Sequence, residues 1–321
     1  MNLGKPLARP PRLRAGDSVA VVAPSGPLVA ERLERGVAVL ESWGLRVRVG
    51  RHALARDPKF PHLAGDDMQR AEDFEAAWCD PAVRAVLVGR GGSGAARIID
   101  LLDWSRIRDA GPKTLVGFSD VTSLHQAVAA FLGLVTLFGP MPATVAFGGQ
   151  DPEKDTIDHL RRTLFEPESV QCLTGPQTRC VVPGAVDGVL VGGTLSLISA
   201  SVGSPELRPA TGGLAMLEDV AEPAYRLDNH LTQLLRTGWF DGVRGIVLGS
   251  WADCADGAAD LVAARLRPLN VPLVTGMPFG HGASSITLPL GALASLDAAA
   301  GTVKLAEPAL AWPRPETSGT G

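Results

Sequence analysis

From Gly16 onward the chain alternates short apolar runs with amphipathic stretches of helical period. That alternation restricts it to βαβ units wound on a mainly parallel sheet. Residues 18–23 read as the first strand. Leu33, Val37 and Leu40 then share one helical face, and Trp43-Gly44 closes that helix, glycine supplying a left-handed cap. Residues 45–49 alternate as a strand should. Further strands are expected at 85–88, 114–118 and 135–138, and helices at 67–78, 94–103 and 121–132. Together these predict one α/β domain over residues 1–145.

Between 146 and 185 the periodicity breaks up in a run containing Gly148-Gly149, Asp151-Pro152, Pro167, Gly175-Pro176 and Pro183-Gly184, the composition of a linker or long crossover. A second α/β domain is expected over 186–312. Its strands are placed at 188–191, 214–217, 245–248, 273–275 and 286–288, and its helices near 194–202, 224–237 and 257–267. The tail 313–321 is expected to be disordered. There is no internal repeat.

Composition narrows the function classes. The chain has 321 residues, 45% of them hydrophobic, enough for a substantial core. Against 30 Lys and Arg stand 34 Asp and Glu, so no positive field attracts phosphate backbones, and nucleic acid is not an expected partner. The basic start (Lys5, Arg9, Arg12, Arg14) precedes only a short apolar run at 19–23, too brief for a signal-peptide core, and no stretch reaches a membrane span. The four cysteines, Cys79, Cys172, Cys180 and Cys254, form no C-x-x-C pair and have no clustered histidines. No disulfide framework, metal site or cofactor is expected, and the cytoplasm is the default compartment.

The chemistry concentrates at a few turns. Residues 114–122 read as a strand running through Gly117-Phe118-Ser119-Asp120 into a helix, with a serine at the corner. A hydroxyl there is exposed above the sheet edge, and the Asp120 N–H lies at a helix N-terminus where it can stabilise an oxyanion. Ser119 or Asp120 can equally be a plain helix cap. The turn Gly89-Arg90-Gly91-Gly92-Ser93-Gly94 also follows a strand. It admits phosphate binding, a second oxyanion donor or a simple tight turn, but its spacing misses the dinucleotide fingerprint.

Six histidines are candidates for a base. His125 is six residues into the helix after Ser119, about 9 Å along its axis, and is expected to point away. His159 and His230 fall on polar helical stretches and are expected to be solvated. His281, in the glycine-flanked run Gly280-His281-Gly282, suits an imidazole presented from a loop. Leu217-Glu218-Asp219 ends an apolar strand in two acids, either of which can orient a base or pair with an arginine. Ser119, Glu218 and His281 thus form a candidate triad in the order serine, acid, histidine.

Seven motifs together resemble the LD-carboxypeptidases (muramoyltetrapeptide carboxypeptidases), serine peptidases that share a fold with the microcin C self-immunity proteins. They are Gly16-Asp17 through Ala23-Pro24-Ser25-Gly26, Arg90-Gly91-Gly92 with Gly94 and Arg97, Gly117-Phe118-Ser119-Asp120, Gly139-Pro140-Met141, Gly192-Gly193, Leu217-Glu218-Asp219 with Tyr225 and Asp228, and Gly280-His281. The resemblance implies a flavodoxin-like parallel-sheet domain, then a smaller C-terminal α/β domain with a mixed sheet, in a cytoplasmic homodimer without a metal. It implies Ser119 as nucleophile, His281 as base, Glu218 as orienting acid, and the N–H groups of Asp120 and Gly92 as oxyanion donors. The implied reaction removes terminal D-alanine from muropeptide tetrapeptides in peptidoglycan recycling. Hydrolysis of aminoacyl-nucleotide conjugates is the alternative, and a non-catalytic nucleotide- or peptide-binding protein the alternative of another class. Ser93, Phe138, Thr194 and Asn229 depart from residues common in the family and bear on the substrate pocket. Arg90 and Arg97 are the cations available to read a substrate carboxylate.

Overall fold

Five parallel strands build the first sheet: β1 (Ser18–Val22), β2 (Arg46–Val49), β3 (Val83–Val88), β4 (Thr114–Gly117) and β5 (Thr136–Phe138), in spatial order β2-β1-β3-β4-β5. This is the flavodoxin-like order, whose switch point lies between β1 and β3. The structure, a computed structural model, describes residues 5–312, so the tail expected at 313–321 lies outside the described residues. Alternate residues of one strand face opposite cores. Val19 and Val21 pack with Leu33 and Leu40, whereas Ala20 and Val22 pack with Phe74 and Trp78. Burial on both faces is why these strands read as continuous apolar runs.

The remaining strands are β6 (Cys172–Leu173), β7 (Arg179–Val182), β8 (Ala185–Thr194), β9 (Gly213–Val220), β10 (Gly245–Ala252), β11 (Leu273–Thr275), β12 (Leu288–Leu290), β13 (Leu293–Asp297) and β14 (Thr302–Leu305). All but β12 form an eight-stranded mixed sheet, β6-β14-β13-β8-β9-β10-β11-β7. Its centre, β8 to β11, is parallel, and its flanks are antiparallel. The second unit is the shorter in sequence, yet its sheet is the wider.

Three expectations need correction. The strand expected at 286–288 in the second domain is β12, and it joins the first sheet, antiparallel to β5. Pro289 fits there because an edge strand can spare one N–H donor. The helix expected at 94–103 breaks after Ala95–Ile98, because the Asp103 side chain accepts the Ser105 and Arg106 N–H groups and starts a new helix, Trp104–Asp109. The irregular stretch 146–185 carries a helix, Lys154–Phe165, with Leu160 and Leu164 in the core, and the strands β6 and β7 that finish opposite edges of the second sheet.

Candidate active site

Ser119 follows β4 at a corner where its φ is +64°, a left-handed conformation that costs a non-glycine residue roughly 1 kcal/mol or more. Its side chain and that of Asp120 leave the helix Thr122–Phe131 uncapped. The Asp120 carboxylate instead accepts the Ala95 N–H at 2.8 Å, fastening the glycine-rich turn after β3 to the corner after β4. Burial pushes the Asp120 carboxyl above its ordinary range, against the pull of Ser25, the Ala95 and Gly94 N–H groups and Arg70. The turn is held from its far end by Arg70. That buried guanidinium donates to the Pro24 and Gly94 carbonyls and pairs with Asp67. So fastened, Gly91 passes directly over the serine: a β-carbon there would stand 2.9 Å from Ser119 Cβ and 3.1 Å from Oγ.

The second sheet supplies an acid and a base. Glu218, near the end of β9, is fully buried, and its Oε2 lies 2.7 Å from His281 Nδ1 and accepts the His281 N–H at 3.2 Å. A carboxylate donates nothing, so Nδ1 carries a proton, and in the neutral imidazole the lone pair is on Nε2. The other oxygen, Oε1, accepts the Thr194 hydroxyl at 2.6 Å. Asp219, the alternative acid, is taken by the Ser196 N–H at 2.7 Å and the Val220 N–H at 2.9 Å, and burial raises it to about 6. Neither acid pairs with an arginine among the described residues.

His281 lies in the loop between β11 and β12. Because β11 belongs to the second sheet and β12 to the first, that loop is anchored on both, and the imidazole is carried from Glu218 toward Ser119. The ring packs against Phe118 in a tilted arrangement, centroids 4.8 Å apart and planes at 58°. Ser119 and His281 line one cleft of about 290 Å³, together with Arg90, Gly91, Gly92 and Phe118. A hydroxyl on a strained corner that shares a cleft with an imidazole backed by a buried carboxylate supplies the groups used for nucleophilic acyl transfer.

Other side chains depart from expectation. His125 does not point away: it folds back so that Nε2 lies 2.8 Å from the Gly117 carbonyl, under the corner, and full burial lowers it to about 4. His159 is mostly buried rather than solvated, accepts the Thr287 N–H on Nδ1 at 3.1 Å, and is likewise lowered by burial to about 4. Arg97 is committed to Asp67 at 2.7 Å, outside the cleft lining, whereas Arg90 lines the cleft and spends one donor on the Pro27 carbonyl at 3.3 Å. Sequence reasoning missed Thr156 and Ser285, which also line the cleft: Thr156 lies on the helix Lys154–Phe165, inside the stretch read as a linker, and Ser285 in the loop before β12. It missed the role of Arg70 as well, since an arginine on a helix gives no sign that it is buried. Among the described residues no group of three or more His, Cys, Asp or Glu could hold a metal ion, and no helix is long and apolar enough to cross a membrane.

Two family models match in tandem, the LD-carboxypeptidase N-terminal domain over residues 19–139 and the LD-carboxypeptidase C-terminal domain over residues 187–296. The chain belongs to the LD-carboxypeptidase family. Ser119 falls in the first matched region, and Glu218 and His281 in the second. The LD-carboxypeptidase match extends to whole proteins. A putative carboxypeptidase of Streptomyces coelicolor is 52% identical, over 96% of this chain and 99% of its own. The murein tetrapeptide carboxypeptidase of Pseudomonas aeruginosa is 32% identical over 87% and 92%. The crystal structure of muramoyltetrapeptide carboxypeptidase from Oxalobacter formigenes superposes with a TM-score of 0.75 at 29% identity, covering 90% of this chain and 97% of that one. MccF in complex with glutamyl sulfamoyl guanosine gives a TM-score of 0.84 at 22% identity, over 94% and 99%, a likeness of fold.

Proposed function

We propose that this LD-carboxypeptidase is a serine peptidase that removes the terminal D-alanine from muropeptide tetrapeptides, acting in the cytoplasm as a homodimer in peptidoglycan recycling. The observation that carries the reading is the hydrogen bond of His281 Nδ1 to the fully buried Glu218, with the imidazole in the same cleft as the strained Ser119. The relatives named for murein tetrapeptides support the substrate class.

In this reading Ser119 Oγ attacks the carbonyl carbon of the scissile bond while His281 Nε2 takes its proton. Glu218 keeps Nδ1 protonated and stabilises the imidazolium that forms. The negative oxygen of the tetrahedral intermediate is received by the Asp120 and Gly92 N–H groups. Collapse breaks the C–N bond, and His281 returns its proton to the departing amine of D-alanine. Water, deprotonated by His281, then cleaves the acyl-serine ester and frees the tripeptide. Arg90 reads the terminal carboxylate, the anionic group that distinguishes a chain end from a chain interior. The cleft lining has one aromatic side chain besides His281, Phe118, and neither Trp239 nor Trp251 reaches it, which favours a peptide over a stacked purine.

The test is to incubate the protein and its Ser119→Ala variant with a muropeptide tetrapeptide and follow D-alanine release by mass spectrometry. Release by the parent and its loss in the folded variant are expected. If the parent instead hydrolyses an aminoacyl-sulfamoyl adenosine and leaves the tetrapeptide intact, the substrate assignment is wrong. Near-normal turnover by the variant would remove Ser119 as nucleophile.

A further inference from the structure

We infer that Thr194 is a positioning residue for the hydrolysis: its hydroxyl holds Glu218 in the orientation that aims His281, and its backbone ties that acid to the helix behind Ser119. The inference rests on the serine-peptidase reading above.

Thr194 is the last residue of β8, is 1% exposed, and stands beside Glu218 in the parallel register of β8 and β9. A buried carboxylate needs donors on both oxygens. Oε2 of Glu218 has two, the Nδ1–H and backbone N–H of His281. Oε1 has the Thr194 hydroxyl at 2.6 Å as its hydrogen-bond donor. Asp219, the next residue along β9, faces the Ser196 and Val220 N–H groups and supplies nothing to Glu218. Without the Thr194 hydroxyl, Oε1 is left unpaired in the interior, a cost that the carboxylate relieves by turning away from His281.

The backbone of Thr194 makes the second connection. Its N–H donates to Thr122 Oγ1 at 3.2 Å, and Thr122 opens the helix three residues after Ser119. One residue therefore touches both the acid of the second sheet and the helix that follows the serine of the first. A β-branched side chain with restricted χ1 suits a hydroxyl that must keep a single direction.

The experiment compares Thr194→Val, Thr194→Ala and Thr194→Ser, with Glu218→Gln as reference, by steady-state kinetics on a tetrapeptide and by thermal melts. Thr194→Val and Thr194→Ala should lower kcat by about tenfold or more with KM little changed, because substrate binding does not use the relay. Thr194→Ser, which keeps the hydroxyl, should restore kcat. Should the valine variant fail to fold, the smaller alanine variant gives the same readout. If Glu218→Gln is inactive while both hydroxyl-free variants turn over normally, or if serine is as impaired as valine, this inference falls and the triad stands. If Glu218→Gln keeps full activity, the serine-peptidase reading itself falls.

Discussion

Gly280 lies directly against the side chain of Glu218: a β-carbon placed on it would stand 2.6 Å from both Cγ and Cδ of the glutamate, and its φ of +91° suits no other residue well. The backbone just before His281 is thereby seated on the acid that orients its ring. Gly280→Ala must either displace Glu218 or move the loop. We expect kcat to fall by about a hundredfold while circular dichroism stays native, since both escapes misalign the imidazole. Near-normal turnover would show that the loop tolerates the shift and that its seating on Glu218 does not set the geometry.

Arg90 lines the cleft, and no ion pair among the described residues engages it. A charge-assisted hydrogen bond is worth about 1.5–3 kcal/mol, so the parent should cleave a free-acid tetrapeptide about tenfold or more better than its C-terminal amide. In Arg90→Met the two peptides should converge, through loss on the acid rather than gain on the amide. Paired kcat/KM measurements decide it. Discrimination that survives in Arg90→Met would assign the carboxylate to another residue.

Arg70 has no contact with the cleft, yet it holds the glycine-rich turn through the Gly94 carbonyl and the preceding loop through the Pro24 carbonyl. Arg70→Met leaves the Pro24 carbonyl without its donor, the Gly94 carbonyl with only the Arg97 N–H, and the Asp67 carboxylate with only the Arg97 guanidinium. Urea denaturation should show a loss of about 3 kcal/mol, and kcat should fall because Gly92 and its N–H are carried on that turn. Lowered stability with unchanged kcat would make Arg70 purely structural.

Stability should fall on the acid side. His125 and His159 are each lowered from 6.5 to about 4 by burial, so the fold holds them neutral. The unfolded chain takes up those protons first, and their contribution, complete above the unfolded value, is lost as pH falls through 6.5 toward 4. Asp219, raised to about 6, acts in the opposite direction, gaining stability as pH falls through that value. Asp120, also raised by burial, adds to that opposing side, and His230, lowered by burial, adds to the histidines; the histidine side is expected to prevail between about pH 7 and about pH 5. Urea midpoints at the two pH values test this, and the loss should shrink in His159→Gln. A midpoint that rises toward about pH 5 would contradict the burial assigned to the two rings.

Much of this architecture is written locally. The strands β1 to β4 and the helices Asp67–Cys79 and Ala224–Arg236 lie close to where apolar period and capping residues place them. The corner at Ser119 and the paired acids after Leu217 were legible for the same reason, since a strand that ends in a polar turn is a feature of a few consecutive residues. The strands β13 and β14 went unread although Leu293–Asp297 alternates buried and exposed positions. Of its residues Ala294 is too small and Ser295 too polar to signal a strand until a partner covers one face.

What the sequence determined by itself was the set of elements and the kinds of group at their ends. Tertiary structure decided which of those groups meet. Residues 288–290, Leu-Pro-Leu, are a short apolar run that would suit either domain, and only pairing with β5 puts them in the first sheet and stretches the His281 loop across the two. Whether His125 points away or bonds to Gly117, and whether Arg97 or Arg90 faces the cleft, turns on packing that no single element fixes. Periodicity reports which face of an element is apolar, but burial and hydrogen bonding across elements depend on distances that only the closed fold sets.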